Sequence, residues 1–337
     1  MDLTTSYLGL TLRSPVLASA SPISGGVDGV RRLSDAGVGA IVLPSLFEEQ
    51  LRREEVEDDW LTEAHDGVFG EAQTYFPQAP TVDLGGVRSH LHFVEQAVAA
   101  SEVPVIASLN GSTPGGWTGI ARGLQDAGAG AVELNIYAVP GDEVTSGAEV
   151  EQRHVEIVQS VRAAITVPLT VKLSPYFSAT GALVRSLVDA GADGLVLFNR
   201  FLQPDIDIER LAVVPSVSLS STGEARLPRT WIALLHGRIE ASLAATTGVE
   251  TADDVVAYLL AGADVVMTAS ALLRHGPEHA RVLIDGLTAW LERRGYDGSD
   301  AIRGLLAVPV DQDTAAYERT GYVSALQAAR ERWGSLA

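Results

Sequence analysis

The chain has 337 residues, of which 46% are hydrophobic and 20% are charged, enough to build a large buried core as one α/β barrel or as two ordinary domains. Its 24 lysines and arginines against 43 aspartates and glutamates give a formal net charge of -19, which disfavours nucleic acid and anionic membranes as partners. Cysteine is absent, which excludes disulfides, thiolate metal sites and iron–sulfur clusters ligated by this chain.

The N-terminus, MDLTTSYLGL, lacks the basic region followed by an apolar stretch that a secretory signal needs. No apolar run approaches the ~20 residues that span a bilayer. We therefore expect a soluble, cytoplasmic protein without a membrane partner. Because no linker rich in Pro, Gly and Ser divides the sequence, we expect a single domain over residues 1–337.

One sequence pattern recurs four times, as DAGVGAIVL (35–43), DAGAGAVELN (126–135), DAGADGLVLFN (189–199) and LAGADVVMTAS (260–270). Each copy is typical of a helix end, a glycine in the left-handed conformation, a tight turn and then a buried strand. Four copies of this helix-to-strand joint indicate a parallel sheet with repeated crossovers.

Four further buried strands fit between these copies: SPVLASA (14–20), VPVIASLNG (103–111), VPLTVKLSP (167–175) and ASLAATTG (241–248). Helical patterns separate the strands, notably over 147–165 and over 251–262, where Thr251 is a candidate N-cap. Eight strands alternating with helices predict an α/β fold, a closed (βα)8 TIM barrel. Two long stretches, 46–90 and 200–228, interrupt the alternation, and we expect them to cover the C-terminal mouth of the barrel.

Several polar or small residues stand at the predicted strand ends, where barrels of this kind bind their ligands: Ala18, Ser19, Ala20, Pro44, Ser45, Asn110, Asn135, Tyr137, Lys172, Ser174, Asn199, Thr247, Gly248, Ala269 and Ser270. Three asparagines and a lysine close strands that are otherwise apolar, and buried polar groups need partners. A planar ligand rich in hydrogen-bonding atoms would supply them, and a cation at Lys172 suits the negative charge at N1 and O2 of a reduced flavin. Alternatively, each side chain satisfies loop backbone or reaches water, although their joint occurrence at strand ends weakens that interpretation.

Two neighbouring strand ends have the character of a phosphate site. TTGVETADDV (246–255) closes one strand with small residues just before a helix, and TASALL (268–273) repeats the arrangement on the next strand. Free amides and hydroxyls on adjacent turns predict a phosphate cradle, although two ordinary turns would look the same.

The histidines offer a competing chemistry, since HLH (90–92) and the pair His275 and His279 have spacings that a metal site could use. However, RSHLHFVEQAVAA predicts a helix, on which alternate residues point in different directions. We therefore expect no metal site.

Several of these segments recur in one known family: SPVLASA, GAIVLPS (39–45), VIASLNG (105–111), VELNI (132–136), VPLTVKLSP, DGLVLFN (193–199) and LAGADVVMTASALL (260–273). In their order and spacing, along essentially the whole chain, the sequence resembles the FMN-dependent dihydroorotate dehydrogenases. It is most similar to a divergent branch, the dihydroorotate dehydrogenase-like proteins, through SLFEEQL (45–51), TYFP (74–77), LFNRFLQPDID (197–207) and RLPRTWIALLHGR (226–238). The resemblance implies an FMN-binding oxidoreductase of pyrimidine biosynthesis that acts on a small molecule and forms a homodimer.

The resemblance also implies roles for individual residues. It places Ala18, Ser19 and Ala20 along the isoalloxazine ring of FMN, and Ser45, Asn110, Asn135 and Lys172 at the polar edge of the ring. It places Thr247, Gly248, Ala269 and Ser270 around the phosphate. It implies that Asn135 and Asn199 bind the substrate, and that Asn199 also lies beside the flavin.

The substrate side departs from the family pattern at three positions. The cysteine or serine base corresponds to Ala138, a substrate-binding asparagine to Pro140, and the lysine that bridges flavin and substrate to Pro44. Losing the base alone costs about 10²–10⁴ in rate, so we expect weak or no oxidation of dihydroorotate. Tyr137, beside the replaced base, is a candidate proton donor or else an aromatic wall of the pocket.

Three functions stay open on this sequence. The first is a flavoenzyme with a changed substrate, with fumarate, nicotinamide or oxygen as the acceptor. The second is a flavin-binding subunit without dehydrogenase activity that passes electrons to a protein partner. The third is a flavin-free barrel that binds a sugar phosphate, in which Lys172 could form a Schiff base.

Overall fold

The computed structural model describes residues 1–50, 86–111, 113, 117–137, 141–200, 205–214 and 218–334. Within these ranges the strands are β1 (Thr5–Tyr7), β2 (Leu10–Leu12), β3 (Val16–Ala18), β4 (Ile41–Phe47), β5 (Val105–Gly111), β6 (Ala131–Ile136), β7 (Leu169–Leu173), β8 (Gly194–Leu197), β9 (Asp205–Asp207), β10 (Ala212–Val214), β11 (Ser242–Ala245) and β12 (Val265–Thr268). Eight of them close a parallel barrel in the order β3-β4-β5-β6-β7-β8-β11-β12. The predicted (βα)8 barrel is confirmed.

The α-helices of the same ranges, in chain order, are α1 (Val27–Asp35), α2 (Val87–Ala100), α3 (Trp117–Asp126), α4 (Gly147–Ala164), α5 (Thr180–Asp189), α6 (Arg226–Leu235), α7 (Ala252–Ala261), α8 (Ser270–His275), α9 (His279–Arg294) and α10 (Thr314–Trp333). Both predicted helices of the sequence analysis are present, as α4 and α7, and Thr251 occupies the N-cap position of α7. The HLH segment lies inside α2, as predicted. Across the described ranges, no group of three or more potential metal-ligating side chains occurs.

The four recurring glycines have the backbone conformation that their pattern predicts. Gly37, Gly128, Gly191 and Gly262 have φ values of 95°, 93°, 106° and 114°. Side chains other than glycine are strained in this region, so the glycine lets each helix end abruptly and the chain turn directly into the next strand. The four predicted helix-to-strand joints are therefore confirmed, and each leads directly into a strand of the barrel.

Alternate residues of seven of the barrel strands enter two separate apolar clusters, as the period of two in a strand requires, while β7 contributes to one of the clusters. One cluster lies between the strands and the surrounding helices and includes Val16, Ile41 and Val105. The other lies inside the barrel and includes Leu17, Val42 and Ile106. The same alternation therefore tells which polar side chains point into the barrel.

A short antiparallel hairpin of β1 and β2 closes the barrel at the N-terminal ends of its strands. Tyr7 is fully buried there, with its hydroxyl 3.1 Å from Thr170 Oγ1 near the start of β7. The backbone amide of Leu8 donates to Ser242 Oγ at 3.0 Å, at the start of β11. The hairpin leaves the opposite end of the barrel for ligands.

Most of the first predicted insertion, 51–85, lies outside the described residues. The second insertion contains the β9–β10 hairpin and a 3₁₀ turn over Thr222–Ala225 that leads into α6. Its residues 218–220 border the cavity at the C-terminal ends of the strands, where the insertion was predicted. Among the helices that the structure describes, none combines the length and the hydropathy needed to cross a membrane.

Candidate functional site

A cavity of about 260 Å³ opens at the C-terminal ends of the barrel strands. It is lined by eight of the predicted site residues: Ser19, Ala20, Lys172, Asn199, Thr247, Gly248, Ala269 and Ser270. Two of the larger grooves, of about 490 and 410 Å³, flank α6 on the outside of the barrel and contain no predicted site residue. A third, of about 350 Å³, adjoins the mouth and shares Asn199 and Thr247 with it. The convergence of polar groups, rather than volume, identifies the mouth as the candidate site.

Lys172 points into the barrel mouth from β7 and is 8% exposed. Its ammonium donates to Ser19 Oγ at 3.4 Å and lies 3.6 Å from Glu133 Oε1. Both contacts are long, and an ammonium carries three donors. Lys172 therefore retains donor capacity toward a ligand in the cavity.

Two asparagines from separate strands meet beside this lysine. Asn199 Nδ2 donates to Asn135 Oδ1 at 2.9 Å, and Asn135 is buried. The bond fixes both amide planes and leaves Asn135 Nδ2 and Asn199 Oδ1 for other partners. On the next strand, the Asn110 side chain makes no hydrogen bond to any described residue. These amides could recognise a planar ligand with both donors and acceptors.

Strand β4 is irregular at Pro44. Its pairing with β5 shifts register between Val42 and Ser45, and proline has no N–H to contribute to a ladder. The strand nevertheless continues to Phe47, so Pro44 and Ser45 lie within it and not at its end, which corrects the boundary predicted from the sequence. Because of the shift, Ser45 Oγ lies 2.7 Å from Ser108 Oγ on β5.

The predicted phosphate cradle begins with two consecutive residues in the left-handed region, Thr247 with φ 79° and Gly248 with φ 73°. The conformation is costly for a threonine and persists only where neighbours hold it. Thr247 Oγ1 donates to Phe198 O at 3.1 Å, and the Tyr258 hydroxyl donates to Thr247 O at 2.6 Å. Burial raises the pKa of Tyr258 well above its ordinary value, so the phenol keeps the proton that it donates.

Ser220 belongs to this cradle, although no pattern in the sequence predicted it there. Its hydroxyl donates to Ser270 Oγ at 3.0 Å and accepts from Gly248 N at 3.3 Å, while its amide donates to Ser270 Oγ at 2.9 Å. Ser220 thereby joins the two turns of the cradle. It lies in a long insertion of no regular period, so no sequence signal placed it there.

Two arginines beside the cavity are already paired. Arg200 bonds Glu224 at 3.0 Å, and Arg274 contacts Glu250 and donates to Ser220 O at 2.7 Å. Partial burial acts to raise the pKa of Glu224, but hydrogen bonds from Ser221 and the charge of Arg200 outweigh it and the pKa is lowered. Both arginines therefore support the mouth as parts of neutral pairs.

The remaining predicted residues divide into three cases. Ala18, 1% exposed, belongs to the apolar layer between strands and helices and does not line the cavity. Tyr137 follows β6 directly, and its amide donates to Gly111 O at 3.2 Å. Ala138 and Pro140 lie outside the described residues.

Together, the closed parallel barrel and the polar cavity at the C-terminal ends of its strands define an α/β barrel protein with its candidate site at the barrel mouth. The sequence model of the dihydroorotate dehydrogenase family matches residues 83–291, more than half of the chain. The chain therefore belongs to the dihydroorotate dehydrogenase family.

Individual relatives match over nearly their whole length. A putative dihydroorotate dehydrogenase A (fumarate) from Aeropyrum pernix is 28% identical over 90% of this chain and 97% of its own. The catalytic subunit of a dihydroorotate dehydrogenase B (NAD(+)) from Methanothermobacter thermautotrophicus is 26% identical over 90% of this chain and 98% of its own. The corresponding catalytic subunit from Methanocella arvoryzae is 28% identical with the same coverage.

Proposed function

We propose that this chain is an FMN-binding oxidoreductase whose activity on dihydroorotate is weak or absent. The observation that carries the proposal is the shared cavity, in which the buried Lys172 faces the same space as the Thr247–Gly248 turn. A ligand with a flat polar ring and a phosphate would use both ends of that cavity. The relatives' names, which state dihydroorotate dehydrogenase, support this class of reaction.

The residues present fit FMN in chemical type. Lys172 and the amides of Asn110, Asn135 and Asn199 would meet the polar edge of the ring, with Ser19 and Ala20 beside it. Thr247, Gly248, Ala269 and Ser270 would hold the phosphate, with Ser220 joining the two turns. When bound, FMN would accept the hydride that a substrate loses; the chain itself supplies binding, orientation and the local charge.

The substrate side supports weak activity because three reactive positions of the family pattern are held by Ala138, Pro140 and Pro44. None of these side chains can accept a proton. A flavin-binding subunit that exchanges electrons with a protein partner is the second candidate, since its cofactor side would be kept while its substrate side is lost. Two of the relatives described above are named as catalytic subunits, a name that implies a further subunit. For this chain, a partner subunit belongs to the second proposal.

Anaerobic titration of the FMN-loaded protein with dihydroorotate distinguishes these cases. We expect the flavin to be reduced not at all or slowly, at a rate about 10²–10⁴-fold lower than in an enzyme with a positioned base. Complete bleaching within the mixing time would contradict the proposal of weak activity. Bleaching by dithionite but not by dihydroorotate or reduced nicotinamide would favour the electron-transfer subunit.

If slow reduction is observed, the Tyr137→Phe variant tests whether the Tyr137 phenol transfers the proton. Loss of the residual rate by tenfold or more would make the phenol the proton carrier, in line with general acid–base catalysis worth about 10²–10⁴. An unchanged rate would leave Tyr137 as a wall of the pocket. The substitution keeps the aromatic ring, so the comparison isolates the hydroxyl.

A further inference from the structure

Glu133 is an acidic residue inside the barrel that none of the roles above uses. It lies on β6, two residues before Asn135, and the strand alternation turns both side chains inward. Its side chain is only 1% exposed. A carboxylate in this position costs several kcal/mol unless it is paired.

Within the part of the chain that the structure describes, Glu133 has one charged partner. Among the described residues, neither carboxylate oxygen has a hydrogen bond, and the ammonium of Lys172 lies 3.6 Å from Oε1. The residues beside Glu133 in register, Ser108 and Thr170, have hydroxyls within hydrogen-bond distance of Ser45 and Tyr7. The contact that offsets the charge of Glu133 is therefore the one to the lysine of the candidate site.

We propose that Glu133 is a positioning residue that holds the Lys172 ammonium in the barrel mouth and offsets its charge, so that the site favours reduced FMN less strongly than an unpaired lysine would. This inference rests on the proposed function. A lone cation beside the flavin edge stabilises the negative charge that reduction adds. When a carboxylate lies 3.6 Å from the cation, the two charges form a dipole, which stabilises that negative charge less than the cation alone would. Glu133 would thus set how readily the bound flavin gives up its electrons.

The test is the midpoint potential of FMN bound to the wild-type protein and to Glu133→Gln. The amide keeps the shape of the side chain and removes its charge. We expect the ratio of affinities for reduced over oxidised FMN to rise at least tenfold, equivalent to about 30 mV for a two-electron couple. The potential should move upward, because the charge of Lys172 is no longer offset.

Two further variants make the result specific. In a Lys172→Met background, Glu133→Gln should raise the potential less, because only the direct effect of its charge on the flavin remains and its effect on the lysine is lost. Asp264→Asn removes another partly buried carboxylate, one that pairs with Arg303 at 3.0 Å near the start of β12, and should leave the potential unchanged. If Glu133→Gln does not fold, Glu133→Asp keeps the charge but withdraws it, and a smaller upward shift is expected.

An unchanged or lower potential in Glu133→Gln, with FMN still bound, would overturn the role of Glu133 and leave the proposed function standing. The same shift in the presence and absence of Lys172 would also overturn it. Failure of the wild-type protein to bind FMN would overturn the proposed function, and this role with it.

Discussion

Lys172→Met is expected to destabilise the folded protein by about 3–5 kcal/mol, because it leaves Glu133 as a buried charge without a partner. Methionine has nearly the volume of lysine, so the loss is one of charge and not of packing. Glu133→Gln in the same chain should recover most of the stability, since the double variant buries no unpaired charge. Urea unfolding of the four proteins in this cycle measures the coupling directly.

The same lysine variant should weaken FMN binding. A hydrogen bond from a charged group contributes about 1.5–3 kcal/mol, so we expect the dissociation constant for FMN to rise about tenfold or more. Fluorescence quenching of added FMN measures the constant at a temperature where both proteins are folded. Equal stability and equal affinity in Lys172→Met would contradict the assignment of Lys172 to a buried pair at the ligand.

Gly248→Ala is expected to disrupt the phosphate cradle. Gly248 has φ 73°, and an added Cβ would lie 2.8 Å from both Ala225 N and Ser221 O, which are backbone atoms. The turn must shift, and the strained backbone costs about 1–3 kcal/mol on its own. Because the amide of Gly248 would move, affinity for FMN should fall at least tenfold.

Riboflavin makes this prediction specific, since it has the ring of FMN without the phosphate. Wild-type protein should bind FMN more tightly than riboflavin, and Gly248→Ala should lose that preference while its weaker riboflavin affinity changes less. Gly119→Ala is the matched control, because nothing lies within 4 Å of its added Cβ and it stands in α3. A preference for FMN that survives in Gly248→Ala would place the phosphate elsewhere.

The barrel could be predicted because its parts are local. Each helix-to-strand joint is defined by one glycine and a short apolar run, and all four predicted glycines adopt positive φ. The residues at the strand ends were found by the same reasoning, since parallel strands end at one edge of a barrel. Eight of the predicted residues line one cavity for that reason.

The features that were missed depend on contacts between distant parts of the chain. Ser220 reaches Gly248 from an insertion, 28 residues away in sequence, and no local pattern encodes that meeting. The register shift at Pro44 turns Ser45 toward Ser108, which strand alternation alone would not predict. The hairpin that closes the barrel with Tyr7 is only two three-residue strands, too short for a period to be read.

Glu133 was also passed over, although it stands inside VELNI, a segment that carries the family resemblance. In the sequence it is one acidic residue in an apolar strand, and strand alternation places it inside the barrel only once the direction of Asn135 is known. Its pairing with Lys172 needed the three-dimensional neighbours of β6 and β7.

The most direct test of FMN binding at the barrel mouth is the visible absorption spectrum of the purified protein after incubation with FMN and removal of unbound flavin. We expect the wild-type protein to retain flavin in equimolar amount with the chain, and the Lys172→Met and Gly248→Ala variants to retain less. Absence of flavin from the wild-type protein, with folded protein confirmed by its unfolding transition, would contradict the assignment of the barrel mouth to FMN.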